Sequence, residues 1–194
     1  MKKLLLCSLL LLFFSCKHVQ YANPHVIIDT KFGEIEIELF AKQAPKTVAG
    51  FLANIDSGFY SNASFYRVLN DQNQPSNAPK TELIQGGVWH SKQYGNKVFS
   101  FIPHETTKQT GLHHISGTVS MARREPGTAS TEFFICIDDE PGLDYGGENI
   151  DDRQGYAAFG KVVKGMNVVK MIYHENEDNQ YFDPPVDIYS IKKL

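Results

Sequence analysis

Cysteine is scarce in this chain of 194 residues, which contains three. Cys7 and Cys16 lie in or directly after its first apolar segment, so Cys136 is the single thiol of the remainder. One thiol cannot form an internal disulfide, and a cysteine inside an apolar run such as Phe133–Ile137 is most often an inert core residue. A catalytic thiol would require an electropositive, partly exposed setting. The sequence therefore favours neither a disulfide scaffold nor thiol chemistry.

Several motifs of enzyme active sites are also missing. The sequence contains no G-x-S-x-G elbow, no Walker loop, no G-x-G-x-x-G and no CxxC. This argues against the hydrolases, nucleotide-binding enzymes and redox enzymes that these motifs mark. No pair of carboxylates can be assigned to acid–base catalysis from spacing alone.

An excess of positive charge is absent as well. The formal net charge is -3, and no stretch is dense in lysine and arginine, so we expect no nucleic-acid partner. His113 and His114 are adjacent and point apart on an extended chain, which favours structural or surface roles over metal binding. The acidic residues of 138–152 do not have EF-hand spacing and indicate a solvated loop. No metal site is therefore predicted.

The beginning of the chain has the character of an export signal. Lys2 and Lys3 precede the apolar run Leu4–Phe14, which is followed by the small residue Ser15. The run is too short to span a bilayer comfortably, and a positive start before such a run is typical of a signal peptide. We expect the signal peptide to occupy residues 1–15.

Cys16 follows this segment directly. A small residue before a cysteine resembles a bacterial lipobox, in which the cysteine is lipidated and becomes the new N-terminus. Phe13 and Phe14 are bulkier than the usual residues there, so plain secretion remains the alternative. We predict a lipidated Cys16, a tether over residues 16–24, and export to the cell envelope or periplasm with attachment to a membrane through the lipid.

The remaining residues, 25–194, have the pattern of one β-rich domain. Strands are predicted over 25–30, 34–39, 65–69, 83–87, 118–122, 133–137, 156–163 and 186–191. A helix is predicted from Pro45 to Gly58, because apolar residues recur at helical spacing, and a second over 165–173. Without a βαβ rhythm, the sheet should be antiparallel, and closure into a barrel would remove its exposed edges.

Arg67 is the most informative residue of the third predicted strand. Arginine carries a permanent charge and only donors, and strand alternation places it on one face with Phe65. Alone, the pattern favours a surface arginine. Gln85 precedes two glycines that would let another backbone come close. With Phe134 they suggest an apolar pocket that holds an amide and a fixed cation. Such a pocket suits a peptide ligand.

Five segments, in this order, resemble the successive motifs of the cyclophilin-type peptidyl-prolyl isomerases. They are FYRV at 65–68, LIQGG at 83–87, GTVSMAR at 117–123, EFFI at 132–135 and AFGKVVKGM at 158–166. The resemblance implies a mainly β fold, a closed eight-stranded antiparallel β-barrel capped by two α-helices. It implies isomerisation of X-Pro bonds, substrates that are proline-containing segments of unfolded or folding proteins, and no cofactor or metal.

The resemblance also implies roles for individual residues. Arg67 matches the catalytic arginine. The substrate-binding positions are Phe65, Tyr66, Leu83, Gln85, Ala122, Arg123, Glu132, Phe134, Leu143 and Tyr156. Among these, Leu83, Phe134 and Leu143 match the pocket for the proline ring, Gln85 the glutamine that holds the substrate backbone, and Ala122 with Arg123 the strand edge beside the peptide.

Some positions depart from the family pattern. Tyr66 and Tyr156 stand where many members have histidine, and we expect activity to be retained. Glu82 replaces a usual phenylalanine and Glu132 a usual glutamine, which predicts a thinner pocket wall and a preference for basic flanks. Gly142 falls where some members have the tryptophan associated with cyclosporin affinity, so weak binding of that drug is predicted.

The expected function is isomerisation of X-Pro bonds in exported or envelope proteins, by a monomer. One alternative is a catalytically weak cyclophilin-like module that binds peptides or acts as a chaperone. A more distant one is a lipoprotein whose barrel is only a scaffold. The Asn70–Thr81 loop is longer than the usual connection and lies beside the expected site, and the sequence assigns it no function.

Overall fold

Within the described residues, 21–95 and 97–194, the computed structural model has nine β-strands and three α-helices. The strands are β1 (His25–Thr30), β2 (Gly33–Leu39), β3 (Ala63–Leu69), β4 (Leu83–Gly87), β5 (Thr118–Met121), β6 (Phe133–Cys136), β7 (Ala157–Lys164), β8 (Glu177–Asp178) and β9 (Tyr181–Lys193). The helices are α1 (Pro45–Asp56), α2 (Thr107–Thr110) and α3 (Met166–Tyr173).

Eight of these strands close into a barrel. Their order is β1-β2-β7-β5-β6-β4-β3-β9, the pairings are antiparallel, and β9 pairs back with β1. Val26 faces Ile37 across β1 and β2, and Ile28 faces Ile191 across the closing pair. The short β8 is paired with β9 outside this ring. The predicted closed eight-stranded antiparallel barrel is confirmed.

The last strand is longer than predicted. β9 begins at Tyr181 rather than Val186, and the turn Asn179–Gln180 joins it to β8 in a hairpin. The sequence conceals this hairpin, because an aspartate and two prolines at 183–185 are residues that strands disfavour. The N–H of Val68 donates to the carbonyl of Gln180 at 2.8 Å. The hairpin therefore brings Gln180 beside β3.

The inward side of the strands fills the barrel. In β2, Ile35, Ile37 and Leu39 are fully buried, as the alternation predicts. Glu36 of the same strand faces outward but is also covered. Its carboxylate lies 2.6 Å from Nζ of Lys164 and 2.8 Å from Nδ1 of His25. The outer face of this strand is therefore closed by polar contacts.

The two predicted helices cap opposite ends of the barrel. α1 follows the end of β2, and α3 follows the end of β7, which runs antiparallel to β2. α1 buries Val48 and Phe51, and α3 buries Val169 and Ile172. The one-turn α2 was not predicted.

The described chain begins inside the predicted tether. The carbonyl of Pro24 accepts an N–H of β2 at 2.8 Å, and the amide of Asn23 donates to a β2 carboxylate at 2.8 Å. The ring of Tyr21 stacks on His25, with centroids 3.8 Å apart. Residues 21–24, predicted as part of the tether, thus contact the folded domain.

The predicted signal peptide at 1–15 and Cys16 lie outside the described residues. Among residues 21–95 and 97–194, no helix has the length and apolar character needed to cross a membrane.

Candidate active site

A β-bulge at Tyr66 determines which way Arg67 points. Phe65 pairs with Gly86 but Arg67 pairs with Gln85, so Tyr66 is an extra residue on β3. Phe65 and Val68 consequently both lie in the barrel core, and Arg67 faces outward. The prediction that Phe65 and Arg67 share a face is wrong, because strict alternation fails across a bulge. Phe65, a predicted substrate contact, is a core residue.

Arg67 lies in a groove of about 470 Å³ on the outer face of the sheet. Most predicted site residues line it, namely Arg67, Leu83, Gln85, Ala122, Arg123, Phe134, Leu143 and Tyr156. Its other walls were not predicted and consist of Leu69, Gln74, Pro75, Ala78, Pro79, Thr81, Glu148, Asn149, Asp151 and Gln180. A larger hollow of about 650 Å³ beside β9 contains none of the predicted site residues.

The floor of the groove is apolar. Leu83, Phe134 and Leu143 are each at most 5% exposed and form a cluster apart from the barrel core, together with Cys136. The ring of Tyr156 meets Phe134 edge-on, with centroids 5.4 Å apart. Burial raises the pKa of the Cys136 thiol well above its usual value, so this cysteine is an inert part of the floor. The apolar side chains of this floor favour a small apolar group as the occupant of the groove.

Behind this floor lies a buried histidine whose contacts the sequence did not predict. The His114 ring stacks on Phe134, and its two nitrogens lie 2.7 Å from Asp144 Oδ1 and 3.0 Å from Ser120 Oγ. Nδ1 of His113 lies 2.7 Å from the other oxygen of Asp144. The two rings therefore converge on one carboxylate instead of pointing apart. Burial alone would raise the pKa of Asp144, but these histidines hold it below its usual value.

Arg67 is the cation of the groove with donors to spare. Its Nε and Nη2 donate to Oε1 of Gln180 at 3.2 and 2.7 Å, and its Nη1 donates to Oε1 of Gln85 at 3.3 Å. A guanidinium has five N–H donors. Within the described residues, these bonds leave one N–H on each terminal nitrogen without a partner. Both are available to a ligand in the groove.

Arg123 is the opposite case. It donates to both oxygens of Asp152 at 2.7 and 2.9 Å, to the carbonyl of Gly155 at 2.9 and 2.6 Å, and to the carbonyl of Arg124 at 3.0 Å. These contacts use all five donors. The side chain of this predicted substrate contact therefore fastens the 144–155 loop to the end of β5, and only its backbone remains for a peptide.

Gln85 connects Arg67 to groups beneath the groove. Its amide nitrogen donates to the hydroxyl of Tyr66 at 2.5 Å. Glu132 lies close to the same hydroxyl and accepts the N–H of Val88 at 2.9 Å. Burial raises the pKa of both Tyr66 and Glu132, and the Glu132 charge raises that of Tyr66 further. Tyr66 and Glu132, both predicted substrate contacts, do not line the groove. Tyr66 instead fixes the amide of Gln85, and Glu132 lies next to Tyr66.

The two glycines after Gln85 permit close packing, as predicted. A Cβ on Gly86 would lie 2.9 Å from the carbonyl oxygen of Ser64, and one on Gly87 would meet the carboxylate of Glu132. Gly87 also has a backbone φ of +150°, which residues with a side chain rarely adopt. The approaching groups are a neighbouring strand and a buried acid rather than a ligand.

Three departures from the family pattern acquire a structural explanation. The carboxylate of Glu82 accepts the hydroxyl of Tyr173 on α3, and neither Glu82 nor Glu132 lines the groove. The prediction that they thin a pocket wall is not supported. Gly142 lies directly against the side chain of Asn149, which lines the groove in its place.

Three comparisons with known proteins bear on this site. Residues 25–193 match the family described as cyclophilin type peptidyl-prolyl cis-trans isomerase/CLD. The chain is 34% identical to peptidyl-prolyl cis-trans isomerase A of Dickeya dadantii over 167 residues, which cover 86% of this chain and 80% of that one. It is 36% identical to peptidyl-prolyl cis-trans isomerase B of Escherichia coli over 150 residues, which cover 76% and 82%.

The chain is also similar to solved structures of cyclophilin type peptidyl-prolyl cis-trans isomerases. A cyclophilin type peptidyl-prolyl cis-trans isomerase of Cryptosporidium parvum aligns with a TM-score of 0.68 and 25% identity, over 88% of this chain and 97% of that one. A second crystal structure of that protein, in the presence of the dipeptide Ala-Pro, aligns with a TM-score of 0.66 and 26% identity, over 86% and 96%.

Proposed function

The chain belongs to the cyclophilin-type peptidyl-prolyl cis-trans isomerases, and on this premise we propose that it is an exported, lipid-anchored member that assists the folding of envelope proteins. Its activity is the interconversion of cis and trans X-Pro bonds, and its substrates are proline-containing peptide segments. The observation that carries the mechanism is that Arg67, among the residues that the structure describes, has two N–H donors without a partner beside an apolar floor.

The difficulty of the reaction lies in amide resonance. The C–N bond before proline has partial double-bond character, and rotation about it faces a barrier of about 18–20 kcal/mol. Uncatalysed exchange takes tens to hundreds of seconds. No covalent bond is broken and no proton must be transferred, so the enzyme has only to stabilise the twisted amide relative to both planar forms.

Arg67 is suited to this task. When the amide twists, the prolyl nitrogen becomes pyramidal and regains a lone pair, which can accept an N–H. A donor fixed beside the apolar floor favours this state over the planar ones, in which the lone pair is delocalised. The floor of Phe134, Leu83 and Leu143 holds the proline ring while the preceding residue rotates.

The alternative of a catalytically weak binding module has lost its main support. It depended on Glu82 and Glu132 facing the substrate. Glu82 is bound to Tyr173, and Glu132 is turned beneath Gly87. Neither carboxylate stands between Arg67 and the apolar floor.

The role of Arg67 is tested by removing its side chain. For an Ala-Pro test peptide, kcat/KM of Arg67→Ala should fall by about 10²–10³-fold, the usual loss when a transition-state donor is removed. Arg124→Ala is the matched control, because it removes the same charge from an exposed residue outside the groove lining. NMR exchange between the cis and trans peptide signals measures both.

Undiminished exchange in Arg67→Ala would contradict the mechanism. Binding by the unsubstituted protein without accelerated exchange would select the binding module, and no binding would select the scaffold.

The proposed location depends on the first 16 residues. A basic start, the apolar run Leu4–Phe14 and the Ser15-Cys16 pair support removal of residues 1–15 and lipidation of Cys16. A lipid at Cys16 would hold the domain a few residues from a membrane, where emerging exported chains expose proline segments. We also propose that the protein acts as a monomer.

In a bacterial host that processes lipoproteins, the mature protein should begin at Cys16, carry the mass of a diacylglycerol and an acyl chain, and sediment with membranes. Cys16→Ser should release it into the soluble envelope fraction or leave it unprocessed. Cys7→Ser is the matched control and should behave as the unsubstituted protein. An unmodified N-terminus found by mass spectrometry would contradict the lipid anchor.

A further inference from the structure

Two of the N–H groups of Arg67 are held by one amide oxygen that no sequence motif indicated. Oε1 of Gln180 accepts from Nε and Nη2 of Arg67 at 3.2 and 2.7 Å. Because an arginine has no acceptor, Gln180 must turn its oxygen toward the guanidinium and its NH₂ group away. That group donates to the carbonyl of Asn73 at 3.0 Å.

Gln180 is itself fixed at every polar atom. Its backbone N–H donates to Oε2 of Glu177 at 2.8 Å, and its carbonyl accepts the N–H of Val68 at 2.8 Å. It adopts φ +75° in the β8–β9 turn, a conformation that residues with a side chain rarely adopt. A glycine would occupy this position with less strain. The presence of a glutamine is explained by what its side chain holds.

The partner of Gln180 belongs to the Asn70–Thr81 loop, to which the sequence assigned no function. The Asn73 side chain donates to the carbonyl of Val68 at 3.1 Å and accepts the N–H of Asn70 at 3.0 Å. The same loop contributes Pro75, Ala78 and Pro79 to the groove wall. One wall of the groove and the guanidinium of Arg67 are thus joined through a single glutamine.

We propose that Gln180 is a positioning residue for the isomerase reaction: it fixes the guanidinium plane of Arg67 so that the two free N–H donors face the groove, and it couples that plane to the Asn70–Thr81 loop. The inference builds on the isomerase activity of the chain. Without Gln180, Arg67 keeps the 3.3 Å contact to Gln85 and regains rotamer freedom. Catalysis by a donor requires that the donor be in place before the amide twists.

The test uses the full chain and substitutions chosen for the turn. Gln180→Gly removes the side chain at a position where glycine is unstrained. Gln180→Glu keeps an oxygen for Arg67 but loses the donor to Asn73. Asn179→Gly is the matched control, since Asn179 has φ +50° in the same turn and its exposed side chain contacts Asp178.

For an Ala-Pro peptide, Gln180→Gly should lower kcat by about 10–100-fold, as expected when a reacting group is misplaced, and change KM by less than about threefold. Gln180→Glu should recover most of kcat, and Asn179→Gly should match the unsubstituted protein. If Gln180→Gly does not fold, Gln180→Met, of similar length but without the amide, should show the same loss.

A double-mutant cycle separates positioning from a structural effect. In an Arg67→Lys background, Gln180→Gly should cause no further loss of kcat, because Gln180 acts through the guanidinium. Hydrogen exchange at Nε of Arg67, followed by ¹⁵N NMR, should become faster in Gln180→Gly.

Unchanged kcat in Gln180→Gly, or losses that multiply in the double variant, would overturn the inference while leaving the isomerase activity intact. An inactive unsubstituted protein would contradict the activity and the inference together.

Discussion

Glu140 is a buried carboxyl group at the start of the 3₁₀ turn Pro141–Leu143, whose last residue lines the groove. Its Oε1 accepts the N–H of Glu82 at 2.6 Å. Burial, together with the nearby carboxylates of Glu82, Asp138 and Asp71, raises its pKa from 4.5 to about 7, against the opposing effect of that N–H. The folded protein therefore binds a proton at Glu140 more tightly than the unfolded chain does.

This shift makes the stability depend on pH in a defined direction. The contribution of Glu140 is fully present below about pH 4.5 and is lost as the pH rises to and beyond about 7. Glu140→Gln keeps an oxygen for the Glu82 N–H but cannot ionise. Relative to this variant, the free energy of unfolding of the unsubstituted protein should fall by about 1–2 kcal/mol between pH 5 and 8. Urea unfolding at both pH values measures this, and parallel pH profiles would contradict it.

Individual site residues were predictable to different degrees. Arg67, Gln85, Leu83 and Phe134 lie in contiguous motifs that resemble those of the family. The direction in which Arg67 points was not predictable, because the bulge at Tyr66 depends on how β3 pairs with its neighbours. Gln180 was not predictable either, since it lies 113 residues from its partner Arg67 in a turn without a motif.

At the scale of elements, two loops shape the groove. The Asn70–Thr81 loop was correctly predicted as irregular from its polar composition, but its contribution to the groove wall depends on the through-space contact of Asn73 with Gln180. The 144–155 loop is fastened by Arg123. Strands and helices with clean apolar periodicity were predicted well, whereas the β8–β9 hairpin was concealed by its prolines.

The 144–155 loop gives the groove two negative charges that lie in the same lining as Arg67. Glu148 and Asp151 line the groove, and within the described part of the chain neither forms an ion pair. Arg123 is neutralised by Asp152. The predicted preference for basic flanks therefore has a source in this loop, in place of Glu82 and Glu132.

Peptides with lysine beside the Ala-Pro unit should be better substrates than those with glutamate, by about two- to fivefold in kcat/KM, because exposed charge pairs are worth little. The double variant Glu148→Gln/Asp151→Asn should lose this preference, as should high salt. Glu125→Gln, an exposed acid outside the groove lining, is the control. A preference for glutamate flanks would show that the loop does not set the specificity.

At the scale of the whole molecule, the barrel core and the groove are formed by opposite faces of the same sheet. One side of β3, β4 and β6 fills the barrel core, and the other side carries the second apolar cluster with Leu83 and Phe134. Closure of the barrel was predictable, because an antiparallel sheet of many short strands avoids unpaired edge strands when its first and last strands pair. The capping helices were predictable because each has a single apolar face.

This separation means that the groove can change without loss of the fold. The chain departs from the commonest family pattern at Tyr66, Glu82, Glu132 and Tyr156, and only Tyr156 lines the groove. We propose that the guanidinium of Arg67, fixed by Gln85 and Gln180, lowers the barrier to rotation of a prolyl amide held on the apolar floor.

The exchange rate of a bound Ala-Pro peptide, measured by NMR at saturating protein in the unsubstituted chain and in Arg67→Lys, tests this role of Arg67. Lysine keeps the charge but lacks the planar set of donors that the two glutamines hold. We expect the peptide to bind both proteins with similar affinity and to exchange between its cis and trans forms at least about tenfold more slowly in Arg67→Lys. Equal exchange rates in the two bound complexes would contradict it.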